Sequence, residues 1–208
     1  MTVLSMPALD EMAEATFGIV SHTISHVSDL DGTGQDVEFP GAKWKLSVVL
    51  PPMLEGDAEP WTAFLTDLGG KAGRFYAGDP LRRAPRGAAA SNPGTPLVDG
   101  AAQTGSSLKV KGGPNSVSNW LRKGDYLAVD LPSGSRSLHK VTADAATDGT
   151  GKVTLSIRPA LRESPADGAT VVLTDATCIM RLIDDEQAMW RLTPGGVYAI
   201  SFEAIEAY

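Results

Sequence analysis

The sequence predicts a mainly β protein with one short α-helix, in which strands from both ends of the chain share a domain and a small β-barrel is inserted between them. Three observations carry this reading. The 208 residues include 22 Gly and 14 Pro among many Val, Thr and Ser, a composition that suits short strands joined by tight turns. Several apolar segments alternate apolar with polar residues, the period of a half-buried strand. Charge changes sign twice along the chain: acidic residues outnumber basic ones by 12 to 4 in residues 1–80, basic outnumber acidic by 12 to 8 in 81–177, and acidic outnumber basic by 5 to 2 in 178–208. An acidic frame of 1–80 and 178–208 thus brackets a mildly basic middle, 81–177, as expected of a domain interrupted by an insert with its connecting arm. The 42% hydrophobic content is ample for such a core.

Phe17 to Val27 reads as a strand, with Phe17 and Ile19 on one face and Val20 and Ile24 on the other. The run Asp29-Leu30-Asp31-Gly32-Thr33-Gly34-Gln35-Asp36 then closes a hairpin, because Asp and Gly supply turn conformations. In Ala42 to Leu50, Trp44, Leu46 and Val48 alternate with Lys43, Lys45 and Ser47, the clearest half-buried strand in the protein. Pro51-Pro52 ends it, since proline donates no ladder hydrogen bond and restricts the residue before it. Beyond Gly56 the period changes: Trp61, Phe64, Leu65 and Leu68 fall at i, i+3, i+4 and i+7 and line one side of a helix. Asp57 is the expected N-cap and Gly69-Gly70 the stop. Gly73 to Pro80 reads as a brief strand and an exit turn.

From Leu81 to about Pro96 the chain has three arginines, a run of alanines and several prolines without apolar period, so it reads as a connecting arm. Short strands follow at Ser107–Lys111, Tyr126–Leu131, His139–Val141, Val153–Ile157 and Thr170–Leu173, separated by turn formers such as Lys123-Gly124-Asp125 and Asp148-Gly149-Thr150-Gly151. That spacing predicts the small barrel. Cys178–Ile183 and Val197–Ile205 are strong strands, the second alternating Tyr198, Ile200, Phe202 and Ala204 against Ala199, Ser201 and Glu203, with Thr193-Pro194-Gly195-Gly196 as the turn between them. Such a pair needs further strands to cover it, which the N-terminal third supplies.

Chemistry is sparse. One cysteine, Cys178, allows no intrachain disulfide and no zinc cluster, and its apolar setting predicts an inert buried thiol. His22 and His26 stand four apart, but in a strand-forming context without a fixed acidic ligand. Asp29 to Gly34 begins like a calcium loop, yet its twelfth position is Pro40 instead of a bidentate glutamate. Gly149-Thr150-Gly151-Lys152 lacks both the earlier glycine and the following Ser or Thr of a phosphate loop. Asp184-Asp185-Glu186 reads as a solvated turn. No catalytic, cofactor-binding or metal-ligating residue is assigned, and no cofactor is expected. A net charge of −7 argues against general nucleic-acid binding. Neither a signal peptide nor a membrane-inserting run of about 18 apolar residues is present, so a soluble protein made in the cytoplasm is expected. Of Trp44, Trp61, Trp120 and Trp190, three are expected in the core, and one at a subunit contact is ordinary.

Several stretches together resemble a known family: Trp44 to Met53, Trp61-Thr62-Ala63-Phe64-Leu65, Gly73 to Pro80, Gly124-Asp125-Tyr126, Leu138 to Val141, Leu155 to Arg162 and Gly196 to Ala204. In combination, from about Phe17 onward, the chain resembles the distal tail proteins of long-tailed bacteriophages and prophages (siphoviruses). The resemblance implies a tail-tube-like β-sandwich formed by 1–80 and 178–208 with its flanking helix. It also implies a virion structural protein of the tail tip or baseplate, which assembles into a homo-oligomeric ring, usually hexameric, between tail tube protein and tail hub protein. The inserted barrel decorates the outside.

Two other classes stand beside this expectation. The barrel is a platform on which Trp120 or Tyr126 stacks against host surface polysaccharide, making the chain a carbohydrate-binding accessory protein. A cell-wall hydrolase would show paired carboxylates in a cleft, and the sequence offers no convincing pair, so no enzyme is expected.

Overall fold

Trp44, Leu46 and Val48 all point into one core and are at most 2% exposed, while Lys43, Lys45 and Ser47 on the other face are half-buried. This seven-residue strand lies inside the first of two large sheets in the computed structural model, which describes residues 2–8 and 12–208. The protein is mainly β with one α-helix among the described residues, as expected from the sequence. In chain order the strands are β1 (Val3–Ser5), β2 (Glu14–Val20), β3 (Thr23–Val27), β4 (Gly34–Glu38), β5 (Lys43–Val49), β6 (Arg74–Ala77), β7 (Leu97–Val98), β8 (Gly105–Lys111), β9 (Tyr126–Asp130), β10 (Arg136–Val141), β11 (Val153–Leu161), β12 (Val171–Val172), β13 (Cys178–Leu182), β14 (Arg191–Thr193), β15 (Val197–Ala199) and β16 (Ser201–Glu206). The helix, α1, spans Glu55–Leu68.

The first sheet has the order β1-β6-β13-β16-β5-β2, so it takes strands from both ends of the chain. β1 runs parallel to β6, and the remaining pairs are antiparallel. Ile200, Phe202 and Ala204 face the core beside β5, with Phe202↔Val48 and Ala204↔Leu46 in register. Glu203 on the other face makes an exposed ion pair with Lys45 at 2.9 Å. Helix α1 lies on this sheet through Ala58, Trp61, Phe64, Leu65 and Leu68. Its aromatic rings meet those of the strands edge-on or tilted, Phe64 to Phe75 at 5.4 Å and Trp61 to Phe202 at 6.1 Å, the separations aromatic pairs favour. Gly69 ends the helix in the left-handed conformation, φ 59°, donating its N–H to the Thr66 carbonyl.

The helix starts two residues before the expected N-cap. Leu54 caps it without a side-chain bond, and Asp57 lies in the first turn, where its charge and that of Glu55 favour the positive end of the helix dipole. Phe17–Val27 is not one strand either: β2 and β3 are interrupted at Ser21-His22, and β3 pairs only with β4. The turn at 193–196 closes a separate hairpin, β14–β15, while β13 pairs with β16 beyond it.

The second sheet, β12-β9-β10-β11-β8-β7, curls until Leu97 and Thr170 form a bridge across its two ends, giving a nearly closed six-stranded barrel. Val153, Leu155 and Ile157 of β11 alternate inward with Thr154, Ser156 and Arg158 outward. They pack with Leu108, Val110, Trp120, Leu127 and Val129. Residues 81–96, expected as a connecting arm, are partly packed against this barrel: Pro85, Gly87 and Ala89 are buried, and the N–H groups of Ala88 and Ala89 donate to the Asn119 and Trp120 carbonyls.

β9 joins the two sheets. Leu127 and Val129 face the barrel interior, whereas Tyr126 and Ala128, with Leu138 of β10, belong to the core of the first sheet. Both faces of the strand are therefore covered, which explains its unbroken burial from Tyr126 to Val129. The Phe17 ring stacks on Trp44 at 4.9 Å and 7°, Tyr126 meets both edge-on, and Trp44 Nε1 donates to the Leu138 carbonyl at 2.7 Å.

Candidate functional site

The motifs weighed in the sequence fall where turns are. His22 and His26 are exposed at and in the β3–β4 hairpin. The Asp31 carboxylate accepts from Thr33 inside the hairpin loop. Asp148 likewise accepts from the N–H groups of Thr150 and Lys152 and from the Thr150 hydroxyl, so these side chains build the turns they sit in. Asp184 caps a short 3₁₀ turn by accepting from Glu186 and Gln187, and Asp185 accepts from the Lys71 N–H. Cys178 is buried and its thiol is held well above the usual range by that burial. Among the described residues no group of three or more His, Cys, Asp or Glu is placed to hold a metal ion, and no helix is long and apolar enough to cross a membrane.

Trp120 and Tyr126, on one or the other of which the carbohydrate-binding alternative rests, are 0% and 5% exposed and offer no ring face to a ligand. Their burial follows from position: Trp120 fills the barrel and Tyr126 the junction. Trp44 and Trp61 are buried as well, and Trp190 is the exposed member of the four.

Two features do face solvent with chemistry to offer. The first is a pair of two-stranded hairpins, β3–β4 and β14–β15, that join neither large sheet. Every residue of β3 is exposed, and Ile24, Val27 and Leu30 are apolar, Leu30 at 99%. At the other hairpin Met189, Trp190 and Leu192 are exposed. Strand register places the two at opposite ends of β5. Val20, leading to β3, pairs with Lys43, whereas Ser201, following β15, pairs with Val49. The attachment points lie about 20 Å apart at the usual rise per residue. The first hairpin carries Asp29, Asp31, Asp36 and Glu38 with no Lys or Arg, and the second carries Arg191.

The second feature is a cleft of about 290 Å³ where the two sheets meet. β10 and β11 pair only at Lys140↔Arg158 and Val141↔Ile157, then part, and the cleft opens in the gap. His139, 2% exposed, bridges it with Nδ1 2.7 Å from the Pro159 carbonyl and Nε2 3.0 Å from the Ser137 hydroxyl. A carbonyl only accepts, so Nδ1 carries the proton; Nε2 is then the acceptor for Ser137. Burial lowers the imidazole pKa from 6.5 to about 4, so the ring is neutral near pH 7. At the cleft edge, Glu206, 2% exposed, is paired with Arg162 at 2.9 Å and accepts the Trp44 N–H; Arg162 also donates to the Ala42 carbonyl. Glu163 accepts the Ser133 N–H at 3.1 Å through one oxygen. The sequence reading did not find this cleft, although Ser133, Ser135, Ser137 and His139 recur at period two, the spacing that puts polar groups on one face of an extended chain.

No family model matches this chain, and no curated protein matches it.

Proposed function

We propose that the chain is a structural subunit that closes head to tail into a ring, in the role of a distal tail protein between the tube and the hub of a long-tailed phage tip. The observation that carries this reading is the pair of apolar hairpins at opposite ends of one sheet. An isolated two-stranded hairpin is marginally stable in water, and two hairpins that each expose several large apolar side chains gain by burial against another surface. Because the hairpins differ and leave from opposite ends, a contact between one hairpin and the other is heterologous. Repeated with closing rotation, it makes a ring. The acidic β3–β4 hairpin and Arg191 of β14–β15 are of opposite sign, which favours pairing of unlike ends. Partners in this role are further copies of the chain, the tube protein and the hub protein, in the virion.

Light scattering after size exclusion, with negative-stain imaging of the same fraction, tests the reading. The expected result is a closed particle of several copies with a central hole. A chain that stays monomeric at high micromolar concentration sinks it.

A further inference from the structure

We propose that the cleft between β10, β11 and the C-terminal residues binds a neutral sugar residue through an acceptor-rich polar lining interspersed with half-buried apolar side chains. This goes beyond the ring reading and does not depend on it.

The polar lining is unusual in what it has left to give. The one Ser137 hydroxyl proton is taken up by its two acceptors, His139 Nε2 at 3.0 Å and the Val129 carbonyl at 3.4 Å, so its oxygen has only lone pairs to offer the cleft. Ser133 and Ser135 share one hydrogen bond at 2.8 Å, which leaves one hydroxyl proton and several lone pairs between them. Glu163 uses one carboxylate oxygen on the Ser133 N–H and keeps the other. Its carboxylate has no ion-pair partner within 4.0 Å among the described residues, whereas the charge of Arg162 is balanced by Glu206, and its guanidinium also donates to the Ala42 carbonyl. The cleft therefore carries uncompensated negative charge and offers more acceptors than donors.

That balance selects among ligands. A phosphate or carboxylate brings acceptors and negative charge, and both are unfavourable here. A hydrocarbon leaves the serine oxygens and Glu163 without partners, each at a desolvation cost. A pyranose supplies several hydroxyl donors on its edge and a C–H face for Leu131 and Ala160, the half-buried apolar residues of the lining. The volume holds one such ring, and the cleft is open at its rim, so the ring is reached as the end or branch of a longer chain.

Saturation-transfer difference NMR on the full chain tests this with methyl α-glucopyranoside and methyl α-galactopyranoside as neutral probes and glucose 6-phosphate as the anionic one. The expected result is saturable transfer to at least one neutral glycoside and at least ~tenfold weaker binding of the phosphate. Glu163→Gln keeps a carbonyl for the Ser133 N–H but removes the charge and one acceptor. It is expected to weaken the neutral glycoside ~tenfold and narrow the discrimination against phosphate, with an unchanged melting temperature and elution volume. Ser137→Ala provides a second reduction from inside the cleft. Absence of saturable transfer to both glycosides, preference for glucose 6-phosphate, or binding indifferent to Glu163→Gln each overturns the proposal. The ring reading is untouched by any of these, since elution volume reports it separately.

Discussion

His139 shows how a single residue can be legible as a strand position and illegible as chemistry. Its place in Leu138-His139-Lys140-Val141 marks it as part of a strand, but nothing local says that the ring is buried, because the carbonyl that accepts its proton comes from Pro159, twenty residues on. Burial favours the neutral imidazole and lowers its pKa from 6.5 to about 4. The unfolded chain, with the ordinary value, therefore binds more protons than the native one between these limits. The stability from this residue is fully present above pH 6.5 and is lost as the pH falls towards 4, by at most about 1.4 kcal/mol per pH unit. His139→Gln has no titrating ring. Denaturant melts between pH 7 and 5 are expected to show a steeper fall for the parent than for this variant. Parallel slopes sink the assignment of a buried neutral imidazole. Phe202 and Glu203 are the converse case: period-two alternation alone assigned one to the core and the other to the surface, and they are so placed, because both faces of β16 are decided by residues within the strand.

Among the elements, β5, α1 and β11 were readable because each meets a core on one side and water or a polar layer on the other, so its period survives in the sequence. The misread ones lack that contrast. β3 is exposed on both faces, and so nothing in its pattern separates it from β2; the end of β2 is set by where β5 stops covering it. Val197 to Ile205 looked continuous, yet β15 turns back to β14 and β16 continues beside β5. Helix α1 begins at Glu55, directly after the Met53–Tyr198 bridge and an extended Leu54, so its start is set by a strand contact that no N-cap pattern records. The hairpins are also where assembly can be tested. Leu30→Asp and Leu192→Asp each place a charge on one exposed hairpin without touching either core. Each variant alone is expected to lose the ring. Mixed, they are expected to form one-to-one dimers, since every pair retains one intact β3–β4 hairpin against one intact β14–β15 hairpin. Analytical ultracentrifugation of the mixture decides: no dimer, or dimers from one variant alone, points to a self-complementary contact instead of a head-to-tail one.

At the scale of the whole molecule, charge and pattern separate a frame from an insert; the first sheet takes β1, β2, β5, β6, β13 and β16, the second takes the strands from 97 to 172, and β3–β4 and β14–β15 join neither. What charge and pattern do not convey is how the two sheets share apolar surface. From the sequence alone, removing Pro85 to Thr174 and closing the gap with a short flexible linker is expected to leave an independent core. The packing changes that expectation. The deletion takes away Tyr126, Ala128 and Leu138, which lie in the core of the first sheet, and with them the acceptor for Trp44 Nε1 and the covering of the Phe17–Trp44 stack. It also removes Arg162, the partner of Glu206, although the carboxylate then gains water in exchange. Helix α1, β13 and the Phe75–Phe202 contact remain, so a cooperative transition is expected to survive. Its midpoint, however, should fall well below that of the parent, because large buried aromatic side chains contribute about 3–5 kcal/mol each when their packing is lost and the new surface presents Trp44 and Phe17 to solvent. A thermal melt with a dye that binds exposed apolar surface measures both effects. Strong dye binding with a lowered, cooperative transition is the expected outcome; a deletion variant that melts at the parent's temperature and binds no dye means that the contact across β9 adds little to the stability of the first sheet.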